Sequence, residues 1–309
     1  MVPRFHLPRR PRQTRDGVTA ASPAAIRTAF VLGAGLGTRL RPLTARRPKP
    51  LVPVGGKPLI AHAFDHLLDA GLGLERFVVN THWCPERYAE FFPGAQWRGI
   101  PIVFTSEQPE VLETAGGIWN AREHLRDGPF VVYNGDILST LPLARAAAFH
   151  RASGAEVTLV LRSRGENRNV TFDPASGQIL DLRRTLRPEL APAHLFTGIY
   201  FVEPAFIDRL PPGRKESVVP IFHAMIRAGV PIAGLVLDEG DWRDLGTRAE
   251  YLAACPGPWT SPSARVAPDA VLENCQVWEN AEVAPGAHLT RCVVTDGARA
   301  AGTHVDTDF

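Results

Sequence analysis

The sequence lacks the marks of several common protein classes. Its charges nearly cancel, with 34 Lys+Arg against 32 Asp+Glu and a net charge of +2. The bulk charge therefore supports neither a nucleic-acid nor a membrane-surface partner. No apolar run approaches the ~18 residues of a membrane-spanning helix, and the N-terminus has no apolar core of a secretory signal. The cysteines are few: Cys84, Cys255, Cys275 and Cys292 form no Cys-x-x-Cys pair and no metal-ligand spacing. That argues against a disulfide scaffold or structural zinc, and for reduced thiols in a cytoplasmic protein. What positive excess exists is concentrated at the start, where Arg4, Arg9, Arg10, Arg12, Arg15 and Arg27 face one acid, Asp16. A basic nucleic-acid-binding arm fits this stretch. A disordered leader over residues 1–26, or a start assigned too far upstream, fits its prolines and paucity of apolar residues better.

What is present is a globular composition, 45% hydrophobic and 21% charged over 309 residues. That is enough chain for one large α/β domain and a smaller appendage. Thr28–Leu32 is an apolar run of buried-strand type, followed by a Gly- and Pro-rich segment from Gly33 to Lys57. Pro58 suits a first helical position, and Leu59, Ile60, Ala63, Leu67 and Leu68 make a helical stripe ending at Gly71. Strands are expected at 77–79, 101–104, 130–133 and 156–161, with helices at 117–125 and 143–151 between them. Alternating strands and helices predict a Rossmann-like mixed, mostly parallel sheet covered on both faces, with ligands at the carboxyl ends of the strands. Strands at 171–172, 179–182 and 196–202 without intervening helices read as antiparallel additions, before a helix over 218–228. This α/β domain is expected to span residues 27–256.

Beyond Pro256-Gly257-Pro258 the period changes. Val271, Val277, Val283 and Leu289 recur every six residues, each followed four later by Cys275, Ala281, Ala287 or Val293. A six-residue period with Pro285-Gly286 predicts a short left-handed β-helix-like hexapeptide segment over 261–305. So few coils are expected to lean on the main domain or on a second subunit, making the segment a candidate homo-oligomer contact.

The chemistry is concentrated after the first strand, in Leu32-Gly33-Ala34-Gly35-Leu36-Gly37-Thr38-Arg39. Glycines there let backbone N–H groups approach a phosphate. A dinucleotide-binding loop would have a third glycine where Thr38 stands, and no Gly-Lys-Ser/Thr closes a Walker loop. The loop runs on instead through Arg41, Pro42, Arg46, Arg47, Pro48, Lys49 and Pro50, a cationic extension suited to a triphosphate held from two sides.

Residues 33–44 followed by Pro48-Lys49-Pro50-Leu51-Val52-Pro53-Val54 resemble the G-x-G-T-R…P-K-P signature of the sugar-1-phosphate nucleotidyltransferases. The likeness in order and spacing runs from about Thr28 to Tyr251, and a hexapeptide tail is common in that family. The resemblance implies an enzyme that binds a nucleoside triphosphate and a sugar 1-phosphate. A phosphate oxygen of the sugar attacks the α-phosphorus in line, and pyrophosphate leaves. It also implies that Arg39 holds the triphosphate and that Lys49 contacts the phosphates at the reacting centre. Leu32, Gly33, Ala34, Gly35, Gly37 and Thr38 would form the nucleotide loop.

Two acids from distant segments suit Mg²⁺, which takes one or two carboxylates together with phosphate oxygens and water. Asp136 follows the strand at 130–133, and Asp244 lies in Asp241-Trp242-Arg243-Asp244-Leu245-Gly246-Thr247. Both motifs resemble the metal-binding elements of the family. The structural alternatives are a turn aspartate for Asp136 and a helix N-cap for Asp244, and Asp241 reads as a surface turn residue. For the base, the resemblance implicates the loop holding Glu107, Thr114 and Gly116, and Glu107 is suited to accept from uracil or guanine. Many relatives have glycine where this chain has Glu113. For the sugar it implicates Asn134 and Gly198. The Glu-Lys pair of several relatives is absent and Leu182-Arg183-Arg184 stands nearby, which suits either a sugar with an added anionic group or a plain difference in the loop. Short bacterial enzymes acting on mannose 1-phosphate or N-acetylmuramate 1-phosphate, in cell-envelope polysaccharide synthesis, are the relatives it most resembles.

Three rivals remain. A non-catalytic regulatory subunit of the same fold is opposed by the retained Arg39, Lys49, Asp136 and Asp244. A nicotinamide-dependent oxidoreductase is opposed by Thr38 and Pro-Lys-Pro, and a hexapeptide acyltransferase by too few coils and only His288 and His304 as candidate bases.

Overall fold

The computed structural model describes residues 25–309. The leader expected over residues 1–26 lies outside them except at its end, where Ile26 is buried in the core. Strand β1 (Thr28–Leu32) leads through the cationic loop to a small hairpin, β2 (Pro53–Val54) and β3 (Lys57–Pro58). Helix α1 (Leu59–Asp69) follows, then β4 (Arg76–Thr81), α2 (Glu86–Phe91), β5 (Gln96–Trp97) and β6 (Ile100–Ser106). Next come α3 (Glu113–Asn120), β7 (Phe130–Asn134), β8 (Ile137–Ser139) and α4 (Leu143–Ser153). The chain continues with β9 (Val157–Arg162), β10 (Val170–Asp173), β11 (Gln178–Leu182) and β12 (Leu195–Val202). Helix α5 (Val218–Arg227), β13 (Ile232–Val236), β14 (Trp242–Asp244) and α6 (Arg248–Ala254) complete this part.

Ten strands form one sheet in the order β10-β11-β13-β9-β12-β7-β1-β4-β6-β5. All but β5, β11 and β12 share one direction, so the sheet is mixed and mostly parallel. Successive side chains of a strand point to opposite faces, which is why each central strand feeds two cores. Ala29 and Val31 of β1 pack with Ile60, Phe64 and Leu67 of α1, whereas Phe30 packs with Ile118 of α3 and Phe222 of α5. Each fully buried Leu, Ile or Phe contributes about 1.5–3 kcal/mol.

Several sequence expectations shift. Pro58 is the residue before α1, with an extended ψ of 140°, and is not its first helical residue. Helix α3 begins at Glu113, four residues before the expected Gly117, because the N–H groups of Ala115 and Gly116 are satisfied by the Glu216 carbonyl. Of the expected antiparallel additions, β12 is inserted in the middle of the sheet, between β7 and β9, and β11 lies near its far end.

After residue 258 the chain winds into stacked coils of parallel strands. Trp259, Gln276 and Val293 fall in register, as do Arg265, Glu282 and Arg299. One coil is therefore 17 residues, one short of three six-residue steps. The slip explains why Val271 is 42% exposed although the period placed it inside. Val271 stacks on His288, and it is Leu272 that stacks on the buried Leu289.

The coils lean on the α/β body. Trp278 and Val293 join a core with Leu40, Leu43, Val52 and Tyr251. Arg47, 1% exposed, is held by Asp296 and Glu279 of the coils and lies between the rings of Phe91 and Trp278, 4.7 and 4.9 Å from their centres.

A buried histidine gives the fold an acid limit. His150 on α4 has no exposed side-chain surface; its Nδ1 bonds Thr158 Oγ1 at 2.8 Å, and its Nε2, 3.4 Å from the Glu203 carboxylate, has no hydrogen-bond partner among the described residues. Burial, helped by the charge of Arg151, pushes its pKa down to about 4, and burial also lowers His62 and His66. On acidification the unfolded chain takes up these protons first, so stability is full above pH ~6.5 and is lost as pH falls towards 4. His150 alone is expected to account for roughly 2–3 kcal/mol over that window. Thermal midpoints at pH 7 and 4.5 check this: His150→Gln should narrow the difference, and an equal difference in both proteins would refute it.

Candidate functional site

At the carboxyl ends of the central strands lies a cleft of about 450 Å³. Its wall is built in the order of the strands: Asn134 and Asp136 after β7, the glycine loop and Lys49 after β1, and Asn80 at the end of β4. Val111 follows between β6 and α3, and Glu113 and Thr114 open α3. Leu32, Ala34, Gly35, Leu36, Gly37, Thr38 and Arg39 line it from the loop, with Pro50 and Gly246.

The loop is held by packing and hydrogen bonds at both ends. Gly37 has φ +59°, and a Cβ there would lie 2.9 Å from Lys49 Cβ, so only glycine lets the loop close on the lysine. Thr44 Oγ1 donates to the Gly37 carbonyl at 2.8 Å, and the Tyr88 hydroxyl donates to that of Gly33 at 2.9 Å. Arg39, exposed, lies against Gly246, where a Cβ would be 2.8 Å from its guanidinium.

Four expected residues converge. Lys49, 6% exposed, donates to Asp136 Oδ2 at 2.7 Å and lies 3.6 Å from Asp244 Oδ1, and Arg39 is 3.9 Å from Asp244 Oδ2. The two acids, far apart in sequence, meet because β14 pairs antiparallel with β8, setting Asp244 opposite Ile137. Asp244 is not a helix cap: Thr247 caps α6, in a capping box with Glu250. Burial first, and then the charge of Asp136, raise the Asp244 pKa, against the lowering effect of Lys49 and Arg39. Two carboxylates thus share one buried lysine and one peripheral arginine. This is the oxygen donor set that a hard divalent cation takes together with phosphate oxygens and water. Among the described residues no third His, Cys, Asp or Glu joins them in a metal-binding group. Asp241 is exposed in its turn.

Other expected residues have different work. Glu107 is fully buried, accepting from Asn80 Nδ2 at 2.7 Å and Leu112 N–H at 2.6 Å, so it does not reach the cleft to read a base. Burial raises its pKa, and those two bonds hold it down in part. Gly33 gives its N–H to Asn80 Oδ1 at 2.9 Å, so that N–H is not a phosphate donor. Gly116 is absent from the cleft wall because it packs on another chain segment: a Cβ would stand 2.4 Å from the Arg214 carbonyl. Gly198, φ +77°, makes room for Asn134, whose amide would lie 2.4 Å from a Cβ, so it bears on the cleft only through that asparagine. Thr114 lines the cleft while its hydroxyl accepts from Val218 N–H at 2.9 Å. Arg183 and Arg184 are exposed in a turn after β11 and do not line the cleft.

Asn80 is the residue the sequence reading missed. Its amide bridges Gly33 and Glu107, tying β1, β4 and β6 together at the cleft floor. The one available signal was a polar residue closing the apolar run Phe77-Val78-Val79.

A sequence model of the family described as nucleotidyl transferase matches residues 28–257. A mannose-1-phosphate guanylyltransferase of Mycobacterium tuberculosis is 36% identical over 72% of this chain and 62% of its own length. A mannose-1-phosphate guanyltransferase of Schizosaccharomyces pombe is 34% identical, with the same coverage of both. The chain thus spans about 62% of the length of these relatives. Among solved structures, HddC from Yersinia pseudotuberculosis complexed with GMP-PN has a TM-score of 0.61 at 21% identity, over 74% of this chain and 98% of that one. The inositol-1-phosphate CTP transferase from T. maritima has a TM-score of 0.63 at 18% identity, over 74% and 93%. These two share the fold.

Proposed function

The chain belongs to the nucleotidyl transferase family, and from that premise we propose that it joins GTP to a sugar 1-phosphate, with mannose 1-phosphate as the first substrate to test. The observation that carries the proposal is the convergence of Lys49 with Asp136 at 2.7 Å and Asp244 at 3.6 Å on the cleft floor. The relatives named for guanylyl transfer support the choice of base and sugar.

In this reading an oxygen of the sugar phosphate attacks the α-phosphorus of the triphosphate. The new P–O bond forms as the bond to the β-phosphate oxygen breaks, and pyrophosphate leaves with that electron pair. The phosphate nucleophile is already ionised near neutral pH, so no general base is required. The catalytic task is to place two anions in line and stabilise the charge that shifts between them. Exposed Arg39 at the mouth grips the β- and γ-phosphates, and buried Lys49 faces the reacting phosphates while holding Asp136 in place. Backbone N–H groups of the open loop around Gly35 have no partner among the described residues and can donate to phosphate oxygens. Asp136 and Asp244 would hold Mg²⁺, which supplies Lewis-acid stabilisation of the phosphate oxygens when bound. Asn134, lodged against Gly198, faces the sugar side of the cleft. Arg183 and Arg184, exposed in the turn after β11, have no role in this reading.

Pyrophosphate release with Mg²⁺, each of five nucleoside triphosphates and a panel of sugar 1-phosphates tests the proposal. Turnover with GTP and mannose 1-phosphate above the other pairs is expected. Silence across the panel would overturn it.

A further inference from the structure

We propose that Glu113 is the base-reading residue of the cleft, its carboxylate accepting two hydrogen bonds from the N1–H and N2–H₂ edge of guanine. This rests on the nucleotidyl-transfer reading above and assigns the residue that would make it guanine-selective.

The strand order sets the polarity of the cleft. The carboxylates and Lys49 stand at the ends of β7 and β1, and Glu113 stands beyond β4, where β6 leads into α3. Three strand spacings separate β7 from β6, about 14 Å. A triphosphate drawn to the cations leaves its base at the β4–β6 end. An acid at that distance from the phosphates lies beyond the ~8–10 Å screening length, so it does not oppose their binding.

Glu113 is the acid available there. Glu107, on the preceding segment, has both carboxylate oxygens occupied by Asn80 and Leu112. Glu113 is exposed in the cleft wall and makes no hydrogen bond or ion pair with any described residue. Its backbone is in the left-handed region at φ +61°, where glycine is the low-cost residue. The conformation is imposed from both sides: the Leu112 N–H is fixed to Glu107, and those of Ala115 and Gly116 to the Glu216 carbonyl. A strained, unpartnered acid in the wall of a ligand cleft is where function offsets strain.

The chemistry selects the base. A carboxylate is acceptor-only, with two coplanar oxygens. Guanine presents two adjacent N–H donors on one edge and meets both. Uracil presents one N–H between two carbonyls, whose oxygens a carboxylate repels. Adenine and cytosine set a ring-nitrogen acceptor beside their amine.

The experiment compares kcat/KM for GTP, ITP (which lacks the exocyclic amine) and UTP, with Mg²⁺ and mannose 1-phosphate, in the wild type, Glu113→Gly and Glu113→Gln. The wild type should favour GTP over ITP by roughly 10- to 100-fold, the discrimination one charged hydrogen bond supplies. Both variants should bring the ratio within about threefold. Glu113→Gly should unfold at the same temperature or higher, because glycine relieves the left-handed residue, so its lost selectivity is not lost folding. A glycine variant that keeps the wild-type GTP/ITP ratio overturns the role of Glu113 while leaving nucleotidyl transfer standing, as does a wild type that uses UTP as well as GTP. A wild type silent with every nucleotide overturns the parent reading as well.

Discussion

Replacing Asp136 or Asp244 by alanine is expected to lower pyrophosphate release at least about 10³-fold, with the thermal midpoint moving by only a few degrees. The two acids stand on adjoining ends of the β8/β14 ribbon and share Lys49 between them. An arrangement made for stability would pair each acid with its own cation. Here the like charges are held close, and the Asp244 carboxyl is shifted upward by burial and by Asp136. Deleting Asp244 therefore removes a repulsion from the resting fold as well as a ligand from the site, and Asp244→Asn should unfold no earlier than the wild type. Losing Asp136 also frees Lys49, whose ammonium then rests on Asp244 alone. Residues that act as one unit lose activity non-additively, so the double variant should be no more than about tenfold worse than either single one. More than a tenth of wild-type turnover in either alanine variant would remove these residues from the mechanism.

The largest effect on stability is expected at Arg47. Its guanidinium is buried, donates to the carboxylates of Asp296 and Glu279, reaches the Leu51 carbonyl and lies between two aromatic rings. Arg47→Met removes a buried cation and leaves two half-buried acids without their principal counter-ion, only Arg87 still reaching Asp296, at a cost of about 3 kcal/mol. Combining it with Asp296→Asn and Glu279→Gln should restore most of that loss, since replacing all partners of a buried ion cluster is far milder than removing one. Equilibrium denaturation of the three proteins decides the matter. A single variant within about 1 kcal/mol of wild type would show the clamp to be idle. Arg47 is two residues from Lys49, so the loosened variant should also turn over more slowly.

The contrast between Arg46 and Arg47 shows where sequence reading stops. Adjacent in the cationic extension that suited a triphosphate, both read alike, yet Arg46 is exposed and Arg47, 1% exposed, is committed to Asp296 and Glu279 and does not line the cleft. The difference comes from residues 232 and 249 positions away, and no local pattern carries it. The first strand, its glycine loop and α1 were legible because a buried strand and an amphipathic helix impose their own periods on the chain. The pairing of Asp136 with Asp244 was legible only as two separate motifs, since the three-residue strands that join them are too short to show alternation. Glycines misled in one direction. Gly33, Gly116 and Gly198 were expected at a ligand, but their missing Cβ atoms make room for Asn80, Arg214 and Asn134. A motif shows that space is needed there without showing what fills it. Glu107 misled for a related reason, because burial of both its oxygens depends on how β4 and β6 lie side by side.

The bond between Arg47 and Asp296 also ties the turn bearing Lys49 to a coil made 249 residues later. During synthesis every residue proposed to touch substrate has been made by Gly246, and the α/β body can begin to collapse once it has left the ribosome. The turn bearing Lys49 still lacks the acids that hold its arginine until Glu279 and Asp296 have followed. A nascent chain stalled in between would carry the residues proposed to touch substrate without the clamp that steadies Lys49, so full competence to react would arrive after the body has formed. Released chains truncated before residue 279 should then turn over more slowly than the 309-residue chain.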